Sequence, residues 1–259
     1  MKTTFYKTLW GMDGTLDEKL AKIKAAGYDG WEDWVSTHSV VKAAGEKAGL
    51  GYLAMVHAES PDQFKHDLGE AHDSGAVKAT VHMGAAYWTE DQIATFLETA
   101  LKIVEDVPFQ VNFETHRGRA LFEPMHTARL LKRFDTLHVV ADLSHWAVVT
   151  ESLLGNFKDQ MEIVYQRTRH IHARVGHEEG PQVPDPRVPQ WKTQLDTHLG
   201  WWDAIRAEHV KRGEKEITVD PEFGPPNYMW TTPTDGKPTA DLWDVSLWMR
   251  DTLKARWKE

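Results

Sequence analysis

The chain contains no cysteine. Its 259 residues therefore exclude disulfide bonds, thiolate metal ligands and a cysteine nucleophile. No run of residues approaches the ~18 consecutive apolar residues of a membrane-spanning helix. The segment Met1–Met12 is too short and too polar for the apolar core of a signal peptide. We therefore expect a cytoplasmic location and no membrane partner.

A clustered basic surface is also missing. Lysine and arginine total 30 residues against 39 aspartates and glutamates, so the formal charge is −9, and the basic residues are dispersed along the chain. Proteins that bind nucleic acids normally concentrate positive charge on one face, opposite the phosphate backbone. The sequence therefore predicts no nucleic-acid partner.

The chain does contain a regular alternation of short apolar runs and helical stretches. The runs predicted as strands are Thr4–Trp10, Tyr28–Asp33, Gly51–His57, Ala76–His82, Phe109–Glu114, Leu137–Asp142, Arg169–Val175 and Glu216–Glu222. The helical periodicity is clearest in Thr15–Ala26, Thr89–Val104 and Asp241–Trp257. Eight such units in about 250 residues are typical of a (β/α)₈ barrel. We predict an α/β fold, a TIM barrel that forms a single domain over residues 1–259.

Four of the predicted strands end in a residue type that binds metal ions. Glu114, Asp142, His172 and Glu222 each stand where an apolar run gives way to a polar loop. In a βα barrel the C-terminal ends of all strands meet at one rim, which carries the active site. Three carboxylates and one imidazole suit a hard divalent ion better than a structural zinc. We expect one divalent ion, Mn²⁺ first, with Mg²⁺, Co²⁺ or Zn²⁺ as alternatives.

The other strand ends carry aromatic or polar groups. Trp10, His57 and His82 end the first, third and fourth predicted strands, and Glu32 stands near the end of the second. Taken singly, such a histidine is more often a satisfied surface or core residue, and Glu32 could face solvent. Their coincidence on one rim favours a polar, functional cavity. We predict that Trp10, His57 and His82 contact a substrate.

Two strand ends continue the same face past the candidate ligands. Side chains two residues apart share one side of a strand, so His116 follows Glu114 and Arg174 follows His172, and we predict that both contact a substrate. The deeper His170 is predicted to support His172 or to pack in the barrel. The guanidinium of Arg174 suits a carboxylate, a phosphate or a sugar diol, and a salt bridge to a rim glutamate is the alternative.

One predicted connection is unusually long. Gly176–Gly200 contains four prolines and little periodicity, whereas βα loops usually have 2–6 residues. Because it leaves the strand that bears His172, we predict a lid-like loop that carries His177, Glu178 and Gln182 over the metal, with His177 in contact with a substrate. A passive insertion or an oligomer contact is the alternative.

Tryptophan is abundant, with 12 residues. Six of them fall in or near the predicted rim loops: Trp88, Trp146, Trp191, Trp201, Trp202 and Trp230. Aromatic faces pack on the C–H faces of sugars, so this abundance suits a small carbohydrate substrate. The tryptophans of the last predicted helix would suit a homodimer.

Several motifs together resemble a known superfamily. They are GYDGWED at Gly27–Asp33, VHMG at Val81–Gly84, FETHRGR at Phe113–Arg119, ADLSHW at Ala141–Trp146, HIHAR at His170–Arg174 and DPEFGPPNY at Asp220–Tyr228. This set resembles the xylose isomerase-like TIM barrels, and more closely their sugar phosphate isomerase/epimerase branch. The resemblance covers nearly the whole chain.

The resemblance implies one divalent metal held by four residues: Glu114, Asp142, His172 and Glu222. It further implies that Glu114 and Glu222 are the catalytic pair, which exchanges a proton at one substrate carbon, and that His145 contacts substrate or metal. The chain departs from the epimerases after the strand-seven histidine. They place a substrate-binding arginine some residues further along, whereas Arg174 follows His172 by only two.

The sequence thus predicts a metal-dependent isomerase or epimerase of a sugar-like polyhydroxy carbonyl compound. A lyase or dehydratase acting on a keto-sugar or inosose is the first alternative, because it needs the same ion and base. An endonuclease IV-like phosphodiesterase is disfavoured by the acidic charge, and a non-catalytic sugar-binding barrel by the intact ligand set. The segment Gly224–Pro226 offers few backbone N–H donors for a phosphate, which favours an unphosphorylated substrate.

Overall fold

Eight parallel strands form a closed barrel in the computed structural model, which describes residues 1–35 and 38–258. The strands are β1 Lys2–Thr8, β2 Gly30–Trp34, β3 Gly51–Ala58, β4 Ala76–Met83, β5 Gln110–Glu114, β6 Val139–Ala141, β7 Thr168–His172 and β8 Glu216–Asp220. They pair in chain order, and β8 closes the barrel against β1 in parallel register. The predicted (β/α)₈ fold is confirmed.

The helices alternate with the strands along the chain. They are α1 Leu16–Ala25, α2 His38–Ala48, α3 Pro61–Asp73, α4 Glu90–Glu105, α5 Pro124–Arg133, α6 Ser144–Val149, α7 Lys158–Arg167, α8 Lys192–Lys211 and α9 Leu242–Arg256. The three helices predicted from periodicity, now α1, α4 and α9, agree with the structure to about one residue at each end. In the described part of the chain, no helix is long and apolar enough to cross a membrane.

Local capping sets where these helices begin. The Thr15 hydroxyl accepts the Glu18 N–H, and the Glu18 carboxylate accepts the Thr15 N–H at 2.8 Å. Thr89 and Gln92 form the same reciprocal box at α4. Each such cap stabilises a helix by about 1 kcal/mol. Gly27, with φ of 81°, follows the end of α1 in a left-handed conformation that favours glycine.

The main apolar core lies between the barrel and its helices. Phe113 of β5, for example, packs against Phe64 of α3 with ring centroids 6.0 Å apart, and Val81 and Leu97 belong to the same buried cluster. Burial of such a side chain contributes roughly 1.5–3 kcal/mol. Because strand residues alternate in direction, the opposite set points into the barrel, where many of the side chains are polar.

Four strands end earlier than predicted, and among them β1 ends at Thr8 rather than Trp10 and β6 at Ala141 rather than Asp142. β7 ends at His172 and β8 at Asp220, whereas the sequence pattern continues to Val175 and Glu222. Pro221 has no N–H to donate to a strand ladder, so it ends β8. Glu222 therefore lies in the loop just past its strand, where loop geometry directs its side chain.

The predicted structureless loop Gly176–Gly200 is wrong over its second half. A 3₁₀ turn at Pro189–Trp191 leads directly into α8, which begins at Lys192 and includes Gly200. Trp202 lies fully buried in α8 rather than in a rim loop. The polar residues between the apolar positions of α8 hid its helical period, and the connection that remains spans residues 173–191.

His198 ties α8 to the start of this connection. Its Nδ1 donates to Gln194 O at 2.8 Å, and its Nε2 accepts the Gly176 N–H at 3.2 Å. Only a neutral imidazole satisfies both bonds. Burial lowers the pKa of His198 to about 4.

This arrangement predicts a loss of stability in acid. The pKa of an unfolded histidine is about 6.5, so the stabilisation is fully present above that pH and declines as the pH falls towards 4, by about 3 kcal/mol at most. His198→Gln keeps a donor and an acceptor but does not titrate. Urea unfolding at pH 7.5 and 4.5 should therefore show a smaller pH-dependent loss in the variant, and equal losses in both proteins would contradict the assignment.

Candidate metal centre

The four candidate ligands meet at the C-terminal rim of the barrel. Glu114 ends β5, Asp142 follows β6, His172 ends β7, and Glu222 lies two residues beyond β8. One ligand atom from each residue lies within 4.8 Å of those of the other three. All four side chains are buried. The barrel thus brings together residues that are up to 108 positions apart in the chain.

The donor set fits a divalent cation. Glu114 Oε2 and Glu222 Oε2 accept no hydrogen bond from the described residues, although imidazole and guanidinium nitrogens lie within ion-pair distance of them. A buried carboxylate oxygen without such a partner is costly. A hard cation would supply that partner to both oxygens, because oxygen-rich sites with one imidazole suit ions of the Mn²⁺ class.

The electrostatics of the cluster favour positive charge at its centre. Burial alone would lower the pKa of His172, yet the facing carboxylates raise it well above its ordinary value. Burial also raises the pKa of Asp142 to about 6, with Glu222 and Glu114 adding to the effect and Arg174 opposing it. Both shifts have the direction expected where negative charge is in excess, and a bound cation would keep Asp142 ionised.

Glu32 supports His172 from behind. His172 Nε2 donates to Glu32 Oε2 at 3.1 Å, which leaves Nδ1 directed at Glu114 Oε1 at 3.3 Å and Glu222 Oε2 at 3.1 Å. Glu32 is 1% exposed. A carboxylate in this position fixes the tautomer and the ring orientation of a metal-binding histidine. Nδ1 is therefore the ligand atom that His172 offers.

The Glu32 carboxylate also binds side chains that lie deeper inside the barrel. His170 Nε2 lies 3.1 Å from Glu32 Oε2, and its Nδ1 lies 2.8 Å from Thr218 Oγ1. The Thr80 hydroxyl donates to Glu32 as well. His170 therefore binds the carboxylate that supports His172, which agrees with the supporting role predicted for it. Glu32 was not among the predicted site residues, and its position at a strand end on the functional rim was the one signal that pointed to it.

Glu32→Gln is expected to reduce divalent-metal affinity about 10- to 100-fold, because the neutral amide lacks the negative charge that orients His172 and makes its free nitrogen a better ligand. Titration calorimetry with Mn²⁺ measures the change. Glu98→Gln, an exposed glutamate of α4, is the matched control and should bind as the wild type does. Equal Mn²⁺ affinity in Glu32→Gln and the wild type would remove Glu32 from the centre.

Arg174 lies against the cluster and forms the salt bridge to a rim glutamate that was the alternative for it. Its Nη2 donates to Asp142 and lies 3.3 Å from Glu222 Oε2, while its Nε donates to Ser144 Oγ at 3.3 Å. The guanidinium also covers the ring of Tyr228 at 4.7 Å. Its Nη1 has no hydrogen-bond partner among the described residues, so one donor remains available to a bound molecule.

A cavity of about 320 Å³ opens onto the cluster. Six of the predicted site residues line it: Trp10, Glu114, His82, His116, Arg174 and Glu222. Further lining residues, which the sequence did not single out, are Thr8, Leu9, Lys19, Asp33, Trp34, Met55 and Tyr228. They come from the first three strands, the loop after β1, helix α1 and the loop after β8, and their residue types alone did not distinguish them from ordinary residues of the rim.

A row of imidazoles forms one side of the site. His82 Nε2 lies against Glu114 Oε2, and the ring of His116 lies 4.9 Å from that of His82 and 3.9 Å from that of His145. Burial lowers the pKa of His116 to about 4, so it is neutral at physiological pH. His145 is fully buried beneath this row, where its Nε2 lies 3.1 Å from Arg174 Nη2.

Besides the buried His145, two predicted substrate contacts lie outside the cavity lining. His57 stacks on Trp34 with ring centroids 4.2 Å apart, and the larger indole is the group that lines the cavity. His177 pairs with Gly180 in a tight turn and packs against Trp191 at 5.0 Å. Neither side chain belongs to the cavity lining, because neighbouring aromatic rings hold both of them elsewhere.

The predicted lid is anchored to the rim. Gln182 is buried, donates to Gly224 O at 3.0 Å and accepts the Gly224 N–H at 2.7 Å. Gln194 of α8 donates to Glu178 at 3.1 Å. The Gln182 bonds connect the segment after β7 to the loop after β8, and the Gln194 bond ties that segment to α8. Gln182 therefore braces the loop that carries Glu222, and none of His177, Glu178 and Gln182 lines the cavity over the candidate ligands.

Comparison with known proteins shows the fold. No protein-family model and no curated protein matches the sequence. Among solved structures, an AP endonuclease of family 2 from Brucella melitensis matches with a TM-score of 0.65 at 12% identity, covering 100% of this chain and 99% of that chain. A sugar phosphate isomerase/epimerase from Parabacteroides distasonis has a TM-score of 0.62 at 12% identity, covering 98% and 94%. An L-ribulose 3-epimerase has a TM-score of 0.61 at 11% identity, also covering 98% and 94%. The resemblance seen in the motifs is confirmed as a shared fold.

Proposed function

We propose that the protein is a divalent-metal-dependent isomerase or epimerase of a sugar-like polyhydroxy carbonyl compound. The observation that carries the proposal is the position of Glu114 and Glu222. Both belong to the four-residue cluster, and both line the same cavity. The similar folds of a sugar phosphate isomerase/epimerase and an L-ribulose 3-epimerase are consistent with it.

The two glutamates are suited to accept and return a proton. When bound, a divalent ion would polarise a substrate carbonyl and so acidify the neighbouring C–H group. Burial opposes ionisation of Glu114, but the imidazoles of His82 and His172 hold its pKa well below the ordinary value. Glu222 is affected in the same direction, chiefly by Arg174, despite its burial. Both carboxylates are therefore ionised and able to act as bases at neutral pH.

The positions of Glu114 and Glu222 favour proton transfer on opposite faces of one substrate carbon. Glu114 leaves the rim from β5 and Glu222 from beyond β8, so β6 and β7 lie between them. Epimerisation needs one group to remove a proton and another to deliver it from the opposite face, whereas isomerisation can use a single base. Two glutamates in these positions are compatible with either reaction.

Aromatic side chains form the outer walls of the cavity. Trp10 and Trp34 are each 38% exposed, at the mouth, and Tyr228 lies edge-on to Trp10 with ring centroids 5.0 Å apart. Such faces pack on the C–H groups of a sugar. A cavity of about 320 Å³ suits a compound the size of a monosaccharide.

Polar groups deeper in the cavity can orient the hydroxyls. Arg174 Nη1 is a free donor, the neutral imidazole of His116 can donate or accept, and Lys19 and Asp33 line the same space. Three ligand carboxylates are balanced in charge by a divalent ion together with the Arg174 guanidinium. A neutral polyhydroxy substrate therefore matches the site better than one with further negative charge.

A screen in deuterated water tests the proposal. Aldoses, ketoses, inososes and keto-glycosides are incubated with the Mn²⁺-loaded protein, and NMR locates incorporated deuterium. We expect one solvent deuterium at the carbon next to the carbonyl, with an isomeric product and no reaction in EDTA. An unsaturated or deoxy product would assign the lyase alternative instead. Cleavage of an abasic-site DNA duplex, without exchange in any sugar, would contradict the proposal.

A further inference from the structure

A second cavity lies on the outer side of β1. It has a volume of about 790 Å³ and is bounded by the loops after β1 and β8 and by the start of α9. Tyr6 and Thr8 point into the barrel, where Tyr6 contacts His170 and Thr8 lines the first cavity. By alternation, Lys7 points outward to the helices and lines the second cavity. Among the described residues, none lines both cavities.

Lys7 is a buried cation with little compensation. It is 1% exposed, and its Nζ donates one hydrogen bond, to Thr8 O at 2.9 Å. No carboxylate of the described residues lies within ion-pair distance of it. A buried ammonium without a counter-ion is costly, and it either loses its proton or acquires an anion. Its pKa is lowered by burial, although the more distant Asp220 and Glu222 oppose the shift.

The rest of the cavity adds positive charge to that of Lys7. Lys22 and Lys237 also line it, and Lys22 lies 4.1 Å above the Trp243 ring. The carboxylates in the lining belong to Asp13 and Asp241. Asp241 caps α9 by accepting the Asp244 N–H at 2.9 Å, so part of its charge is already used. Lys237 is paired with Asp235 at 3.0 Å, so the positive charge in excess around the cavity comes from Lys7 and Lys22.

We propose that this second cavity binds a small organic phosphate, with Lys7 as its buried counter-ion. Lysine ammonium groups bind phosphate as point charges, and a phosphate monoester at neutral pH offers more charge and more acceptor oxygens than a carboxylate. Met12, Met229 and Leu242 supply apolar surface for a carbon skeleton. The site is independent of the chemistry proposed for the metal centre.

Two short segments of the chain contribute residues to both the second cavity and the first. Gly11 directly follows Trp10, and Pro226 lies two residues before Tyr228. Gly11 and Pro226 line the second cavity, whereas Trp10 and Tyr228 are walls of the first. A phosphate compound bound beside Lys7 would therefore contact the same two loops that shape the candidate active site.

Titration calorimetry in EDTA tests the proposal without any contribution from metal. The probes are glycerol 1-phosphate, inorganic phosphate and glycerol. We expect glycerol 1-phosphate to bind the wild type more tightly than inorganic phosphate, and glycerol not to bind. Lys7→Met should weaken the phosphate ester at least tenfold, and Lys22→Gln about threefold. Lys65→Met, an exposed lysine of α3, is the matched control and should bind as the wild type does.

A further readout guards against misfolding of the Lys7 variant. Glycerol 1-phosphate should raise the Tm of the wild type and of Lys65→Met, and it should raise the Tm of the exposed double variant Lys22→Gln/Lys237→Gln less. Absence of binding to the wild type overturns the proposal. The proposal is also overturned if glycerol 1-phosphate binds both the double variant and a folded Lys7→Met with wild-type affinity, or if glycerol binds as tightly as glycerol 1-phosphate. Tighter binding of inorganic phosphate than of the ester would mean that the carbon skeleton has no place in the cavity.

Discussion

Alanine at His172 or Asp142 is expected to lower divalent-metal affinity by at least about 100-fold. Each residue supplies one of four ligand atoms that lie within 4.8 Å of one another, and a site that loses one protein ligand keeps too few donors to displace water from the ion. Elemental analysis of the purified variants, with calorimetry using Mn²⁺, measures the loss. The fold should survive, because the ligands lie at the functional rim of the barrel.

The control for this experiment is His66→Ala in α3. His66 is exposed and contacts Asp67 at 3.2 Å, away from the barrel rim, so its removal should change neither metal content nor circular dichroism. Full metal occupancy in Asp142→Ala or His172→Ala would show that the metal binds elsewhere and would contradict the assignment of this site. Metal lost together with the folded structure would instead point to a structural ion.

Glutamine at Glu114 or Glu222 is expected to reduce turnover about 10²- to 10⁴-fold while substantial metal binding remains. The change preserves shape and one ligand oxygen but removes the base, and general base catalysis typically contributes a factor of this size. The losses should be far from additive in the double variant, because the two residues act as a unit. Turnover and deuterium incorporation measure the effect in each variant.

Deuterium exchange distinguishes how the two glutamates divide the work. If both transfer protons, each single variant loses exchange or product formation. If one carboxylate is the sole base, as in a lyase or a one-base isomerase, only one variant loses exchange at the carbon next to the carbonyl. Glu98→Gln should behave as the wild type. Wild-type exchange in both Glu114→Gln and Glu222→Gln would rule out the proposed chemistry.

The contacts of Arg174 predict different effects on metal binding for Asp142→Ala and Glu222→Gln. Asp142 and Glu222 both contact Arg174 Nη2, so removal of Asp142 takes away a ligand and a partner of a buried guanidinium at once. Glu222→Gln leaves a neutral group that can still accept a hydrogen bond. Metal binding should therefore respond more strongly to Asp142→Ala than to Glu222→Gln.

The sequence by itself determined the barrel and the meeting of the four candidate metal ligands at one rim. Strand and helix periodicity are local properties, and caps such as that of Thr15 and Glu18 lie within one turn of the chain. Once eight parallel strands close into a ring, their C-terminal ends must share a rim. Glu114 and His172, which end β5 and β7, could thus be placed together from strand ends alone, whereas the side chain of Glu222 depends on the loop beyond β8.

Only the tertiary structure decided which polar groups serve the site. Glu32 reaches His172 across 140 positions of sequence, and no local pattern distinguishes that contact from a glutamate in solvent. Packing against Trp34 and Trp191 likewise keeps His57 and His177 out of the cavity lining. Lys7 points outward from the barrel and lines a second cavity. Side-chain direction beyond a strand end depends on long-range packing, whereas the elements themselves follow from local periodicity and caps.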